Sequence, residues 1–553
     1  MINTKQKIHF NKKAFLAIDD FPDFRNTVRR LIQSLGVKTI DVVASADEAI
    51  EKITNNDYDV ILCDYNLGPD KPNGQQILEE VKHKKLIKYS TIFLMITAEA
   101  LMESVMGALE YKPDDYISKP FSKEFLQNRL EKIMAKKSNF EDIERAIQRD
   151  EYLKAIQLCD KHIDAKPPNI IEFLRLKGEL LVKLSDYGEA LTLYEKILEM
   201  RNFLWARLEM GKIHYYDRKY SFAKDLFTGI ITDSPNYVEA HDWLAKTEEA
   251  LGNPKAAQAV LLDAVQRSPN AILRRRALGD LSLKNKDYSV TEQAYKAAID
   301  LGTHSFLKST ADYVHLANVD MINKSPEEAL HVLDSARTMF KKAQNSAESF
   351  LHIESMSAIV YKDLKNDAKA EESLKVTKEM YKSFKGIVPA NVAMDVAKAC
   401  MTMNDKDSGI EIMKEIIKNN YDNDELMAKT ASVFKDVGLE DEGKSIIEQT
   451  KNEAKAINNE GVKLVMKGDL PKAVDLFNKA VKGMPGNKII LANAVQALIM
   501  LIKEKGISPN NSNLVRQYLD QIKAIDSSYK KYQELHEEFE IIESKAPKPN
   551  LTT

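Results

Sequence analysis

Apolar and polar positions change period part-way along the chain. Over the first 137 residues, short apolar runs alternate with segments of helical spacing. Strands are predicted at Ala14–Ile18, Lys38–Ala44, Val60–Cys63, Thr91–Ile96 and Asp115–Ser118. Helices are predicted at Phe24–Leu35, Ala46–Ile53, Gln75–Lys84, Leu101–Leu109 and Lys123–Met134. Such an alternation points to a doubly wound parallel sheet. The run Val60 to Cys63 is too short for an ordinary helix and reads as a strand buried on both faces. It ends in a carboxylate, Asp64, with Asn66, Gly68 and Pro69 close behind.

Ser138-Asn139-Phe140-Glu141 has the spacing of a capping box, so a new helix is expected with no Gly- or Pro-rich linker before it. A longer period then takes over. Tyr152, Tyr187, Tyr220, Pro254 and Tyr288 form a ladder with steps of 35, 33, 34 and 34 residues. Gly178, Gly211, Ala245 and Gly279 stand nine before the last four rungs. Ala155, Ala190, Ala223 and Ala257 stand three after the first four, and Pro167, Pro235 and Pro269 close three units. A small residue lets two helices cross closely, and a proline ends the second one. The pattern resembles a tetratricopeptide (TPR) array. It loosens over about 301–423, where Ala317, Ala358 and Ala397 are the markers, and returns at Asn459-Glu460-Gly461 with Ala473, Phe477, Ala480 and Pro485. Ser528–Ser544 reads as a terminal cap and 544–553 as a disordered tail, giving ten or eleven helical pairs.

Composition narrows the class. In 553 residues the formal net charge is −3 and 29% are charged, which argues for a folded, helix-rich protein without a strong field toward nucleic acid or membrane. Cys63, Cys159 and Cys400 lie far apart in apolar patterns, as reduced core thiols would. No apolar run approaches the roughly 20 residues of a membrane helix, and no signal peptide is recognised, so a cytoplasmic location is expected. The triplet Arg274-Arg275-Arg276 is read as a solvated helix face.

The candidate chemistry lies at the strand ends. Strands one, three, four and five end in Asp19-Asp20, Asp64, Thr97 and Lys119. In a doubly wound sheet these ends converge on one crevice. Three carboxylates there repel one another and call for a divalent cation, and few protein oxygens with waters and a phosphate is the magnesium pattern. A carboxylate beside such an ion can attack phosphorus.

Asp19-Asp20, Asp64, Thr97-Ala98 and Lys119-Pro120, in that order, resemble the motifs of a response-regulator receiver (CheY-like) domain over residues 12–137. The fold class expected is thus a five-stranded, flavodoxin-like α/β receiver (1–137) followed by an all-α TPR superhelix (138–543). The resemblance implies that Asp64 accepts a phosphoryl group from a histidine kinase or phosphotransfer protein. It further implies Mg2+ held by Asp19, Asp20, Asp64 and the backbone carbonyl of Asn66, with Thr97 as switch hydroxyl and Lys119 as phosphate contact. Tyr116 matches the switch aromatic, against the plainer reading of a packed strand tyrosine, and the bond before Pro120 is expected to be cis. One departure stands out: Gly74 follows Asp64 by ten residues rather than the family's eight.

For the repeats, a protein or peptide partner is expected on the concave face, with Arg175, Trp205, Tyr215, Tyr216 and Arg276 as candidates. The alternative is that Trp205 and the tyrosines pack between repeats. No phosphate loop, G-x-S-x-G or H-E-x-x-H marks an enzymatic output. The leading reading is a two-component response regulator whose phosphorylation controls protein binding, including action on its own kinase or regulator pathway. The rivals are a transcription regulator and a constitutive scaffold, and the pattern is compatible with a homodimer.

Overall fold

The computed structural model describes residues 10–68, 71–98, 113–341, 346–384 and 388–545. Five parallel strands, β1 (Ala14–Ile18), β2 (Thr39–Val43), β3 (Val60–Asp64), β4 (Ile92–Ala98) and β5 (Asp115–Lys119), lie in the order 2-1-3-4-5. This is the flavodoxin-like doubly wound order, with a switch point beside β1 and β3. Helices α1 (Pro22–Ser34), α2 (Ala46–Asn55), α3 (Gly74–His83) and α4 (Lys123–Lys136) follow β1, β2, β3 and β5. The helix expected at Leu101–Leu109 lies outside the described residues.

Strand alternation builds two cores. Leu16, Ile18, Ile61, Cys63, Phe93, Met95 and Tyr116 face one cluster. Phe15, Ala17, Val60, Leu62, Leu94, Ile96 and Ile117 face the other, with Val28, Ile32, Leu126 and Leu130 from α1 and α4. Burial on both faces explains why β3 reads as an unbroken apolar run. Asn73 caps α3 in a reciprocal box with Gln76, which fixes the helix start at Gly74.

Ser138 does not cap the next helix. Glu141–Gln148 begins without a side-chain cap, and the Ser138 hydroxyl instead donates to the Ala135 carbonyl. Asn139, at φ 68°, turns the chain between the two helices, so the expected capping box is absent.

The chain divides into two compact units, Met1–Ser309 and Thr310–Thr553. Within the first unit, the amino ends of β4 and β5 are packed onto the first repeats. Ser90, just before β4, donates both its backbone N–H and its hydroxyl to the buried Glu144 carboxylate. Tyr89 packs on Phe140, and Lys137 reaches both Asp114 (2.7 Å) and the Thr91 carbonyl (2.8 Å). These contacts lie at the amino ends of β4 and β5, opposite the carboxyl ends where the candidate residues sit. Burial raises the Glu144 pKa above its ordinary value, against hydrogen bonds from Ser90 that lower it. The ionised form is therefore the disfavoured one, and whatever it contributes fades as pH rises through the raised value. Glu144→Gln should hold stability at neutral pH. Glu144→Ala strips the Ser90 N–H of its acceptor and should cost about 1–3 kcal/mol in urea unfolding of the full chain.

Twenty-two helices run from Glu141 to Lys545 among the described residues, at the upper end of the ten or eleven pairs expected. Every rung of the tyrosine ladder is the first residue of the second helix in a pair: Tyr152, Tyr187, Tyr220, Pro254 and Tyr288. The small residues are explained by what faces them. A Cβ on Gly178 would meet the Tyr194 ring at 2.6 Å, on Gly211 the Phe227 ring at 2.5 Å, and on Gly279 the Tyr295 ring at 2.9 Å. Where the position is Ala245, the residue sixteen later is Leu261 rather than an aromatic, and both are buried. Ala155, Ala190, Ala223 and Ala257 are fully buried.

In the second unit Ala317, Ala358 and Ala397 are likewise fully buried. The looser spacing there comes from longer helices, Ser346–Asp363 and Asp367–Ser383. Glu440–Met466 is a single 27-residue helix, and its Gly461 lies under Phe477 in the same small-against-aromatic pairing. The last helix, Lys530–Lys545, buries Tyr532, Leu535 and Phe539 and extends one residue past Ser544. The tail from 546 lies outside the described residues.

Candidate functional site

Register brings the strand ends together. Ile18 pairs with Cys63, Asp64 with Ile96, Thr97 with Ser118 and Ala98 with Lys119. Residues far apart in sequence thus share one edge of the sheet. One carboxylate oxygen from each of Asp19, Asp20 and Asp64 lies within 4.8 Å of the others. The three side chains grade from buried Asp19 through half-buried Asp64 to exposed Asp20.

Lys119 closes the crevice. Its Nζ donates to Asp19 Oδ2 and to Asp64 Oδ2, each at 2.6 Å. Burial raises the Asp64 pKa above the ordinary carboxylate value; Lys119 opposes this and Asp19 adds to it. For Lys119, burial lowers the pKa, but the two carboxylates outweigh it and the net shift is upward. The ammonium is therefore held charged, and burial disfavours the charged form of both partners. The other Asp19 oxygen accepts from the Phe21 N–H at 2.9 Å, and Arg25 donates to the Asp19 carbonyl at 2.6 Å. Three carboxylates within reach of one ammonium and one guanidinium leave the crevice net negative. That donor set, all oxygen and open toward exposed Asp20, fits a hard divalent cation.

Thr97 is buried inside β4, which runs one residue beyond it to Ala98. The Lys119–Pro120 bond is cis. Tyr116 is turned into the core at 8% exposure, packed among the residues that include Ile61, Cys63 and Phe93, and its hydroxyl has no hydrogen-bond partner among the described residues. Burial, then nearby Tyr65, raises its pKa. Asn66, two residues past Asp64, donates its N–H weakly to Asp64 Oδ1 at 3.4 Å, and its side chain accepts from the Gly68 N–H at 3.2 Å.

The absence of a side chain at Gly74 has a local cause. A Cβ there would sit 2.2 Å from the Asp64 carbonyl oxygen and 2.9 Å from Cys63 Sγ, and the Gly74 N–H donates to the Tyr65 carbonyl at 2.9 Å. Gly68, at φ +106°, turns the β3–α3 loop beside Asp20.

The arm candidates separate into groups. Arg175 lies 5.2 Å over the Trp205 ring and donates to Glu179 at 3.0 Å, while Trp205 meets Tyr194 edge-on. Tyr216 stacks on Tyr187 at 5.9 Å, and both Tyr215 and Tyr216 meet Trp243 edge-on. Trp205 and the two tyrosines therefore do pack between repeats, although Tyr216 keeps 47% exposure. Arg276 stands apart, donating to the Leu307 carbonyl. Trp243, with Lys246 4.4 Å and Lys212 5.5 Å from its ring, is the centre that spacing did not mark. The arginine triplet is not a solvated face: Arg274 is buried and bidentate on Asp242 at 2.6 Å, and Arg275 donates to the Pro269 carbonyl. Cys63, Cys159 and Cys400 are buried free thiols. No helix among the described residues is long and apolar enough to cross a membrane.

Residues 15–131 match the model of the response regulator receiver domain. Over 118 residues the chain is 30% identical to the chemotaxis protein CheY-3 of Vibrio cholerae serotype O1, covering 21% of this chain and 88% of that protein. It is 26% identical over 118 residues to the chemotaxis protein CheY of Pseudomonas aeruginosa, covering 21% and 93%. Among solved structures, it is similar to the C-terminal part of a TPR repeat-containing protein from Cytophaga hutchinsonii, at TM-score 0.37 and 14% identity, covering 45% of this chain and 97% of that one. MamA from Desulfovibrio magneticus RS-1 matches at TM-score 0.27 and 20% identity, covering 30% and 94%.

Proposed function

We propose that this chain, which belongs to the response regulator receiver family, takes a phosphoryl group on Asp64 and uses that state to govern protein binding by its helical repeats. The observation that carries the reading is the gathering of Asp19, Asp20 and Asp64 oxygens within 4.8 Å, with Lys119 bridging two of them at 2.6 Å. Asp64 is the acceptor because it alone of the three ends the central strand and meets the ammonium while remaining half-buried.

Chemically, an Asp64 oxygen forms a bond to phosphorus as the bond from phosphorus to the donor atom breaks, and the donor leaves with that electron pair. From an acyl phosphate the leaving group is a carboxylate, and no net proton is taken up. A histidine kinase or phosphotransfer protein is the natural donor class. Mg2+, held by Asp19, Asp20, Asp64 and the Asn66 backbone carbonyl, would supply neutralising charge to the phosphoryl oxygens. Lys119 would contact those oxygens, and the Thr97 hydroxyl would donate to them. Ala98 and cis-Pro120 lie at the strand ends that carry these groups, and Tyr116 would be the switch aromatic.

The output follows from attachment. β4 and β5 carry Thr97 and Lys119 at one end and are held at the other by Glu144 and Lys137. A shift of these strands on phosphorylation changes how the amino edge sits on the first repeats. Moving a 1:99 population to 99:1 needs about 5.5 kcal/mol of differential stabilisation, within reach of several charge-assisted contacts. The repeats would bind protein or peptide through the aromatic and cationic surface of Arg175, Trp205, Tyr215, Tyr216 and Trp243, with Arg276 further along. A kinase or sibling regulator of the same pathway is a fitting partner, and the protein works in the cytoplasm without a separate catalytic output. The test is partner capture by the full chain with and without beryllium fluoride and Mg2+. The retained set should differ between the two states; the same set in both would leave a constitutive scaffold.

A further inference from the structure

Lys119 has a third neighbour besides its two carboxylates. Its Nζ stands 4.0 Å from the centroid of the Phe24 ring, on the first turn of α1. That ring is met edge-on by Phe121, with centroids 6.1 Å apart and planes at 80°. Phe121 lies two residues past Lys119, so the loop that carries the ammonium also braces the ring beneath it. The ammonium has three N–H groups. Two go to Asp19 and Asp64 at 2.6 Å, and an aromatic face lies within range of the charge.

We propose that Phe24 is a positioning residue for phosphoryl transfer, its ring face keeping Lys119 aimed at Asp64 once Asp19 is engaged by a cation. The inference rests on Asp64 being the acceptor. A ring suits the task better than another acid. A fourth carboxylate would compete with the phosphoryl oxygens for the ammonium and add to the repulsion among Asp19, Asp20 and Asp64. An aliphatic side chain would offer the ammonium no attraction at all. The Lys119 side chain keeps only 24% exposure, so the ring acts on a partly desolvated charge, where its attraction is strongest. In the transfer itself Lys119 stays protonated throughout. The new bond joins an Asp64 oxygen to phosphorus, the phosphorus–oxygen bond of the acyl phosphate breaks, and the carboxylate leaves with the pair.

The experiment uses the full chain carrying Phe24→Leu, Phe24→Tyr, or a graded series of fluorinated phenylalanines at position 24, which keep the ring's shape while weakening its face. Phosphoryl uptake from acetyl phosphate is measured at saturating Mg2+ and resolved into kcat and the KM for the donor. Phe24→Leu should lower kcat roughly five- to thirty-fold with little change in KM. Phe24→Tyr should stay near wild type, and the logarithm of the rate should fall stepwise with fluorination. In metal-free, donor-free protein, the ammonium protons of Lys119 should show an upfield ring-current shift that Phe24→Leu removes. Equal rates across the fluorinated series, with the label still on Asp64, would overturn the proposal, as would an unchanged Lys119 resonance in Phe24→Leu. A wild-type label found on another residue would instead overturn the reading of Asp64 itself.

Discussion

Asp64→Asn should abolish phosphoryl uptake from acetyl phosphate and Mg2+, by on the order of 10³-fold or more, while the protein stays folded. An amide nitrogen or neutral oxygen cannot replace a carboxylate as nucleophile toward phosphorus, so the loss falls on chemistry rather than on donor binding. The folding half of the expectation comes from the electrostatics. Burial raises the Asp64 pKa despite the Lys119 ammonium. A carboxyl group whose folded pKa lies above its unfolded value contributes stability below the unfolded value and loses it as pH rises through the folded one. At neutral pH the ionised side chain is therefore the strained form, and an uncharged amide of the same size removes that burden. Lys119 keeps its 2.6 Å contact to Asp19. Thermal unfolding of metal-free Asp64→Asn should show a midpoint equal to or above wild type. A mutant that labels like wild type, or that unfolds early, contradicts this account.

The parts legible in the sequence are announced by one strand or helix, or by strand ends that a parallel sheet must bring together. A run buried on both faces announces β3, and a carboxylate at its end is visible without partners. The joint pattern of Asp19, Asp20, Asp64, Thr97 and Lys119 was legible because a parallel sheet forces strand ends to one edge. What was not legible depends on contacts between elements. Phe24 meets Lys119 across 95 positions of chain, and nothing about an aromatic on the first turn of α1 signals that. Gly74 stands out in sequence only by its spacing from Asp64; that the Asp64 carbonyl lies where its Cβ would be is a contact between elements. Ser138 had the spacing of a cap, but Asn139 in the left-handed region turns the chain before a cap can form. The arginine triplet looked solvated because Asp242, the partner that draws Arg274 inward, belongs to a helix one repeat earlier. Trp243 carries no signal in the sequence because the ladder marks helix starts, whereas its contacts depend on which tyrosines the neighbouring pair presents.

The second large effect concerns the repeats, where the small position of one helix and the residue sixteen later act as a unit. Gly211→Ala should destabilise the full chain by about 1–3 kcal/mol, because the new methyl would lie 2.5 Å from the Phe227 ring, which is itself fully buried and packed near Trp243. Phe227→Leu alone should also destabilise, by about 1–3 kcal/mol, through the cavity it leaves over Gly211. The double variant should recover much of both losses. It reproduces the pairing that the next repeat already uses, where Ala245 stands in the small position and buried Leu261 sixteen residues on. A recovery of this kind is a coupling energy between touching residues, and urea unfolding of the four proteins measures it as a double-mutant cycle. If the two losses simply add, the pairing is incidental and the glycines serve backbone flexibility instead. That alternative is already weakened by Gly178, Gly211 and Gly279 lying mid-helix, where flexibility is a cost of roughly 1 kcal/mol relative to alanine and only the ring pressed against the helix repays it.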